Sequence, residues 1–381
     1  MLISYRDIVN ELKIDIISNE ALTLAKKYGY LPYIVQRYVD MLGLKDAEKL
    51  LEVFEYFKYA PAVLCNYLYT DCDKLVHKLE EIGFSLNRIP WCKYCYKVVS
   101  QPESPTLGAT HEFLKGLYYV YRDSSSLIPP LILNPSENSY VLDMCAAPGG
   151  KTIHILLLVN DRGLVVANDI SFRRSISLVS NLYRMGFKSY IVLNENAAKL
   201  PNKINIKFDY ILLDAPCSAE GAIMFDHSRK TKTSQQDLAK LVKREIELLY
   251  IATKLVKPGS KIVYTTCSIA PEENEYVITK VLEHVNNIEI LTPPMNQWSK
   301  GLTKFRNIEF NKDISRDSCY IVLEGEINEL VFEIDNQKIT YKVPSEFFFP
   351  AKKQIKILAK DLEKELFLEP QFIYYITIKV K

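Results

Sequence analysis

The sequence predicts an α/β protein whose centre is a parallel sheet covered by helices on both faces, with an α+β domain before it and a small α+β appendage after it. Three observations carry this. Between residues 106 and 325, short apolar runs alternate with stretches of helical period, the pattern of consecutive strand–helix units. Gln101-Pro102-Glu103-Ser104-Pro105 punctuates the chain just before that region. Past Val322 the texture shifts to polar–apolar alternation. The expected domains are therefore 1–105, 106–325 and 326–381.

In the first domain, Leu22, Leu24, Ala25 and Tyr28, then Ile34, Val35, Tyr38, Val39 and Leu42, recur at helical spacing. β-like texture follows at 61–69 and 94–99, with a helix marked by Leu75, Leu79 and Ile82 between them. In the central domain strands are expected at 139–144, 164–168, 189–193, 208–213 and 261–266, and helices at 151–159, 171–185 and 235–256. The appendage reads as a hairpin of 330–335 and 338–343 across Asn336-Gln337, a helix at 359–366 and an aromatic strand at 372–380. Ligands of parallel sheets bind beyond the carboxyl ends of the strands. The unusual residues of this chain fall there.

Composition narrows the function. Lys and Arg outnumber Asp and Glu by only 48 to 46, so a nucleic-acid partner would have to be held by local patches. Apolar residues at 48% and charged residues at 25% exclude wholesale disorder. Eight cysteines spread over 381 residues are not a secreted disulfide framework. The N-terminus carries no apolar signal core, and no apolar run approaches the ~18 residues of a membrane span. A cytoplasmic, reducing location with free thiols is expected, and no membrane association. Cys92-Lys93-Tyr94-Cys95 has zinc-like spacing, but no second pair of ligands stands nearby in the sequence, so no metal is expected.

The chemistry-bearing residues form three motifs. The first strand runs into Asp143-Met144-Cys145-Ala146-Ala147-Pro148-Gly149-Gly150-Lys151-Thr152, an acidic strand end followed by small residues and a helix start. Such a loop brings backbone close to a nucleotide-like ligand. It is not a phosphate-binding P-loop, because the glycine required five positions before Gly150 is Cys145. Asp169 ends the second strand, where an acid commonly accepts from ribose hydroxyls. Taken alone, Asp143, Gly149 and Gly150 are also open to the plainer reading of a helix packed on a sheet. Asp214-Ala215-Pro216-Cys217 and Thr265-Thr266-Cys267 each place a cysteine just past a strand. Adjacent strands lie roughly 5 Å apart, so Cys217 and Cys267 can face one site. A helix starting near Pro271 would lend its N-terminal amides to lower a thiol pKa.

DMCAAPGGKT, LLDAPCSAEG and YTTCSIAPEENE, in this order, resemble the motifs of the Nop/Sun (RsmB-like) family of RNA cytosine-C5 methyltransferases. The likeness extends to Leu107-Gly108-Ala109-Thr110 and the Ser-Ser-Ser-Leu-Ile-Pro-Pro run at 124–130, and covers about 50–325. It implies a Rossmann-like class I methyltransferase sheet of seven strands, S-adenosylmethionine as cofactor and 5-methylcytidine in RNA as product. Carried over, Cys267 is the nucleophile that adds to C6 of cytosine, Asp214 the carboxyl near the base, and Cys217 the thiol that assists release. The donor site by the same likeness comprises Cys145, Ala146, Ala147, Pro148, Gly149, Gly150, Lys151, Asp169, Arg174, Asn196 and Asp214.

The sequence departs from the family at Asn196, usually aspartate, and around Val63-Leu64-Cys65-Asn66, where an arginine is usual. The family's C-terminal pattern is reduced to the stretch 315–321. The expected substrate is RNA, transfer RNA first and ribosomal RNA next, with no obligate protein partner. The rival reading, a non-catalytic RNA-binding or ribosome-assembly factor, leaves Cys217, Cys267 and Asp214 without a use. Arg229, Lys230, Lys232, Lys240, Lys243 and Arg244 form the basic cluster expected to meet phosphates, a solvated helix face being the plainer reading of the last three. Phe347-Phe348-Phe349 and Tyr374-Tyr375 are candidates for base stacking, with core packing the ordinary reading.

Overall fold

A computed structural model describes residues 3–56, 60–291 and 299–314, together with the strands Cys319–Tyr320, Glu329–Ile334, Gln337–Lys342 and Tyr374–Val380. Its contacts group the chain into two units built from non-consecutive stretches: Tyr59–Asp214, Ile251–Val263 and Lys379–Lys381 in one, Met1–Lys58, Ala215–Tyr250 and Tyr264–Ile378 in the other. This differs from three consecutive domains, and the pairings below give the reason.

The first of these units carries two sheets. β1 (Ala62–Cys65), β2 (Ser85–Arg88), β3 (Cys95–Ser100) and β4 (Tyr118–Tyr121) form an antiparallel sheet in the order β2-β3-β1-β4. Because Ala62 pairs with Tyr121 and Cys65 with Tyr118, the boundary expected at 105 falls inside one sheet. The helix Cys72–Glu81, capped by the Asp71 side chain, lays Leu75 and Leu79 on Val63, Leu86, Val98 and Tyr118. β5 (Tyr140–Asp143), β6 (Leu164–Asn168), β7 (Tyr190–Leu193), β8 (Phe208–Asp214) and β9 (Val256–Thr266) follow in the order β9-β8-β5-β6-β7. β5 runs parallel to both β6 and β8, and β6 to β7, so Asp143, Asn168 and Asp214 end on one edge. The helices Gly150–Leu158 and Phe172–Arg184 stand where the helical periods place them.

Four of the cysteines expected as free thiols are paired. Cys65 with Cys72 and Cys92 with Cys95 are sulfur-bonded, at Cα separations of 5.9 and 5.2 Å, because short turns return each partner within bonding reach. Cys145, Cys217 and Cys267 are free.

In the second unit the helices Asn19–Tyr28, Pro32–Leu42 and Leu44–Tyr56 belong with residues after 215. Tyr33 donates its hydroxyl to the Thr233 carbonyl at 2.6 Å. Arg37, fully buried, ion-pairs with Glu272 at 2.9 Å and with Glu220. Burying a charge is tolerable only when it is paired in this way. Towards the C-terminus, Glu329–Ile334 and Gln337–Lys342 form the expected hairpin. The strand Tyr374–Val380 pairs antiparallel with Cys319–Tyr320. The helix expected at 359–366, Phe347 to Phe349 and most of 315–321 lie outside the described residues. Among those described, no helix is long and apolar enough to cross a membrane.

Candidate active site

The loop after β5 is shaped by its neighbours. Met144 N donates to Leu212 O at 2.9 Å and Ala146 N to Asn168 O at 2.8 Å, seating it over both flanking strands. Gly149 adopts φ 109°, a left-handed conformation that other residues resist, and the helix begins at Gly150. A Cβ on Gly150 would come within 2.8 Å of Tyr121 Cε1, so the ring packs where only glycine leaves room. The result is a cavity of about 340 Å3 lined by Tyr119, Tyr121, Arg122, Ser126, Asp143, Cys145 to Pro148, Gly150, Lys151 and Asp214. Within it, Lys151 Nζ lies 2.6 Å from Asp214 Oδ2. Asp143 is fully buried: one oxygen accepts from Thr152 Oγ1 at 2.7 Å, the other has no partner. Burial pushes its carboxyl up to about 7. Burial also raises the Cys145 thiol, with Asp143 adding to the effect.

Not every expected donor residue joins this cavity. Asp169 is buried, and its oxygens are engaged by Ala147 N at 3.2 Å, Ser171 N at 2.9 Å and the Arg174 guanidinium at 3.4 Å. Arg174 also donates to the Ala147 carbonyl. Both residues hold the loop in place. Asn196 is exposed, and its Oδ1 accepts from Ala198 N at 3.1 Å, capping the short helix Ala197–Asn202. Tyr119, Tyr121, Arg122 and Ser126 were not expected. Tyr119, Tyr121 and Arg122 precede Asp143 by more than twenty positions and no spacing in the sequence marks them, whereas Ser126 stands in the Ser-Ser-Ser-Leu-Ile-Pro-Pro run at 124–130.

Past β8 and β9 the two cysteine segments run side by side. Ala215 N donates to Thr265 O at 2.8 Å and Gly221 N to Cys267 O at 2.9 Å. This brings the Cys217 and Cys267 sulfurs to 3.2 Å, with Cys267 N donating to Cys217 Sγ at 3.3 Å. The contact with Cys267, and then burial, hold the Cys217 thiol well above its ordinary pKa. Beside the pair, Glu273 accepts from Ser218 N at 2.6 Å and from the Ser218 hydroxyl. Burial raises the Glu273 carboxyl to about 7.

Two expectations are corrected here. The helix expected from Pro271 begins at Glu275, because Glu272 turns to Arg37 and Glu273 to Ser218 before the helix starts. The helix amides expected from Pro271 thus start four residues later. Within the basic cluster, Lys230 is buried, bonded to Tyr28 O at 3.1 Å and ion-paired with Glu55. Arg229 pairs with Asp226 at 3.0 Å and Lys240 with Asp237 at 2.8 Å. Lys232 and Arg244 are exposed.

Residues 130–321 match the family model for the 16S rRNA methyltransferases RsmB/F. A 25S rRNA (cytosine-C(5))-methyltransferase of Schizosaccharomyces pombe is 32% identical over 323 residues, 84% of this chain and 52% of that protein. The chain belongs to the RsmB/F (Nop/Sun) methyltransferase family. A human relative, a 28S rRNA (cytosine(4447)-C(5))-methyltransferase, is 33% identical over 297 residues, 76% of this chain and 36% of that protein. The chain thus spans about half the length of the yeast relative and about a third of the human one. A methyltransferase homolog from Pyrococcus horikoshii is similar in structure, with a TM-score of 0.73 and 26% identity over 96% of this chain and 100% of that one. The expected Rossmann-like class I methyltransferase fold is what the chain adopts, with nine strands in its sheet among the described residues where seven were expected, because strands nearer the C-terminus add to it.

S-adenosylmethionine is the methyl donor of the RsmB/F family. The cavity suits it: Asp143 keeps a buried oxygen without a partner, Lys151 and Asp214 offer both signs of charge, and Gly150 keeps the wall thin. When bound, the cofactor supplies a methyl group on a positively charged sulfur.

Proposed function

We propose that this chain methylates C5 of a cytidine in RNA through a covalent adduct between Cys267 and C6 of the base. The observation that carries the reading is the 3.2 Å approach of Cys217 to Cys267. Cytosine C5 is a poor nucleophile. Addition of the Cys267 thiolate to C6 breaks the C5–C6 double bond and turns C5 into an enamine carbon able to take the methyl group. As Cys267 adds, N3 of the base takes a proton from solvent, and Asp214, three residues before Cys217 in the chain, accepts the N3–H hydrogen bond and stabilises the adduct. A water molecule takes the C5 proton, the electrons of the C5–H bond re-form the C5–C6 double bond as the Cys267–C6 bond breaks, and the Cys217 S–H donates to the departing Cys267 thiolate.

Asp143, Cys145 to Lys151 and Asp214 hold the donor, with Asp169 and Arg174 fixing the loop. Asn196 has one acceptor lone pair left over for an adenine amino group. Ribosomal RNA is the substrate class, since the named relatives of comparable identity act on it; transfer RNA has no such support. A non-catalytic assembly role is disfavoured by the thiol pair itself.

The test is an adduct assay with S-adenosylmethionine and radiolabelled ribosomal RNA fragments. Cys217→Ala should accumulate a protein–RNA band that survives denaturation, and Cys267→Ala should form none and transfer no methyl. Full turnover by Cys267→Ala would overturn the mechanism.

A further inference from the structure

Cys92 and Cys95 bracket the turn from β2 into β3, and His154 lies in the helix Gly150–Leu158. None of the three lines the donor cavity. Folding brings both sulfurs and one imidazole nitrogen within 4.8 Å of one another, and all three residues are buried. His154 is fully buried, and its Nδ1 has no hydrogen-bond partner. An orphaned buried polar atom of this kind costs about 1–3 kcal/mol.

The other ring nitrogen, Nε2, lies 3.2 Å from the hydroxyl of Tyr94, which stands between the two cysteines in the chain. With Nε2–H donating to Tyr94, Nδ1 keeps a free lone pair. That is the arrangement of a metal-bound histidine, whose second nitrogen donates to an outer partner that orients the ring. Neutral imidazole is the form that binds metal.

We propose that Cys92, Cys95 and His154 form a zinc site when the two cysteines are reduced. Two thiolates and one neutral imidazole are the donors that borderline-soft zinc selects. Two negative sulfurs cancel the charge of the ion, so the buried cluster is neutral overall. Around a tetrahedral zinc the sulfurs would sit about 3.8 Å apart, given Zn–S bonds of ~2.3 Å. Water takes the fourth position, because among the described residues no further cysteine, histidine or carboxylate joins the group.

In the structure the two sulfurs are bonded to each other. Loading therefore begins with an external dithiol, which gives two electrons and two protons to the Cys92–Cys95 bond and is itself oxidised to a disulfide. Zinc then displaces the two thiol protons as two Zn–S bonds and one Zn–N bond form. The ion would tie the β2–β3 turn to the helix whose first turn carries Gly150 and Lys151.

The test uses the full chain, reduced anaerobically with a dithiol, exposed to zinc or cobalt(II), freed of unbound metal and assayed by mass spectrometry for metal content. One zinc per chain is expected, falling at least tenfold in Cys92→Ser and His154→Gln but kept in a Cys217→Ser/Cys267→Ser double variant. The cobalt form should show thiolate charge-transfer absorption and four-coordinate ligand-field bands. Reduced protein in which peptide mapping after alkylation finds Cys92 and Cys95 as thiols, yet which retains no metal, would overturn the proposal. Equal retention by Cys92→Ser, or loss in the double variant, would do the same. Should either single variant fail to fold, the cobalt spectrum of the unaltered chain decides: thiolate bands in the presence of free Cys217 and Cys267 must persist when those two are serine.

Discussion

The ammonium of Lys151 sits 2.6 Å from the carboxylate of Asp214, joining the first turn of a helix to the last residue of β8 across the floor of the cavity. Lys151 is largely shielded from solvent and Asp214 partly so, which leaves their attraction only partly screened. Lys151→Met and Asp214→Asn should each weaken S-adenosylmethionine binding roughly 10- to 100-fold, the equivalent of about 1.5–3 kcal/mol for a hydrogen bond to a charged group. The double variant should lose less than the sum, because the two groups share one interaction. Calorimetry on the four proteins reads this directly, and strictly additive losses would show that the pair acts independently.

The glycine loop makes a second prediction. Alanine at Gly150 gains up to about 1 kcal/mol in helix propensity but must push aside the Tyr121 and Tyr119 rings, whose Cε1 atoms would lie 2.8 and 3.0 Å from the new Cβ. Overpacking of that kind costs about 1–3 kcal/mol, so Gly150→Ala should lower the urea midpoint. Gly149→Ala should too, since it combines φ 109° with a Cβ 2.9 Å from Leu178 Cδ1. Unchanged midpoints in both would mean that the rings are free to move.

Acidity should stabilise this protein relative to neutral pH. Asp143 and Glu273 both hold protons up to about pH 7, against an ordinary carboxyl value near 4. Between those values the folded state binds more protons than the unfolded chain, so stability falls as pH rises from the ordinary range through about 7. Glu273→Gln removes one of the two groups. Its unfolding free energy should change less between pH 5 and pH 8 than that of the unaltered chain, by on the order of 2 kcal/mol. An identical pH profile would show that Glu273 titrates normally.

RNA binding should discriminate among lysines that look alike in sequence. Neutralising exposed Lys232 and Arg244 together should flatten the log–log salt dependence of RNA affinity by about 1.4, taking ~0.7 per single-strand phosphate contact. Lys230→Met should leave that slope alone and instead destabilise the fold, because it strands Glu55 beside a buried site. Filter binding across a salt series, paired with thermal melts, separates the two effects. A slope unmoved by loss of Lys232 and Arg244 would place the phosphate contacts elsewhere.

The parallel strands were readable because each is a short apolar run whose period and punctuation are local. The strand ends were readable for the same reason, and Asp143, Cys217 and Cys267 fall where the alternation puts them. What escaped was non-local. Arg37 sits in an unremarkable helix, and its partners Glu220 and Glu272 are 183 and 235 residues away. His154 stands 60 residues from Tyr94 inside an apolar run, where nothing local distinguishes a ligand from a core residue. Pro271 misled for a different reason. Proline is a common first residue of helices, but here two glutamates after it find better partners than a helix turn would give them. Asp169 was located correctly, while its engagement by the loop amides depends on a fold that its own neighbours do not encode.

The buried Arg37 cluster also sets a clock. During synthesis the helix Pro32–Leu42 emerges first, yet Glu272 is made 235 residues later. At about 5–20 residues per second that interval is roughly 12–47 s. Over the first 183 of those residues both counter-ions are missing and over the remainder Glu272 still is, so the guanidinium has to stay hydrated throughout. The stretch 60–214, by contrast, is continuous and carries the whole of its four-stranded sheet and four strands of the parallel one. Nascent chains should therefore order their middle before their beginning, and the thiol-bearing segments should be the last to close.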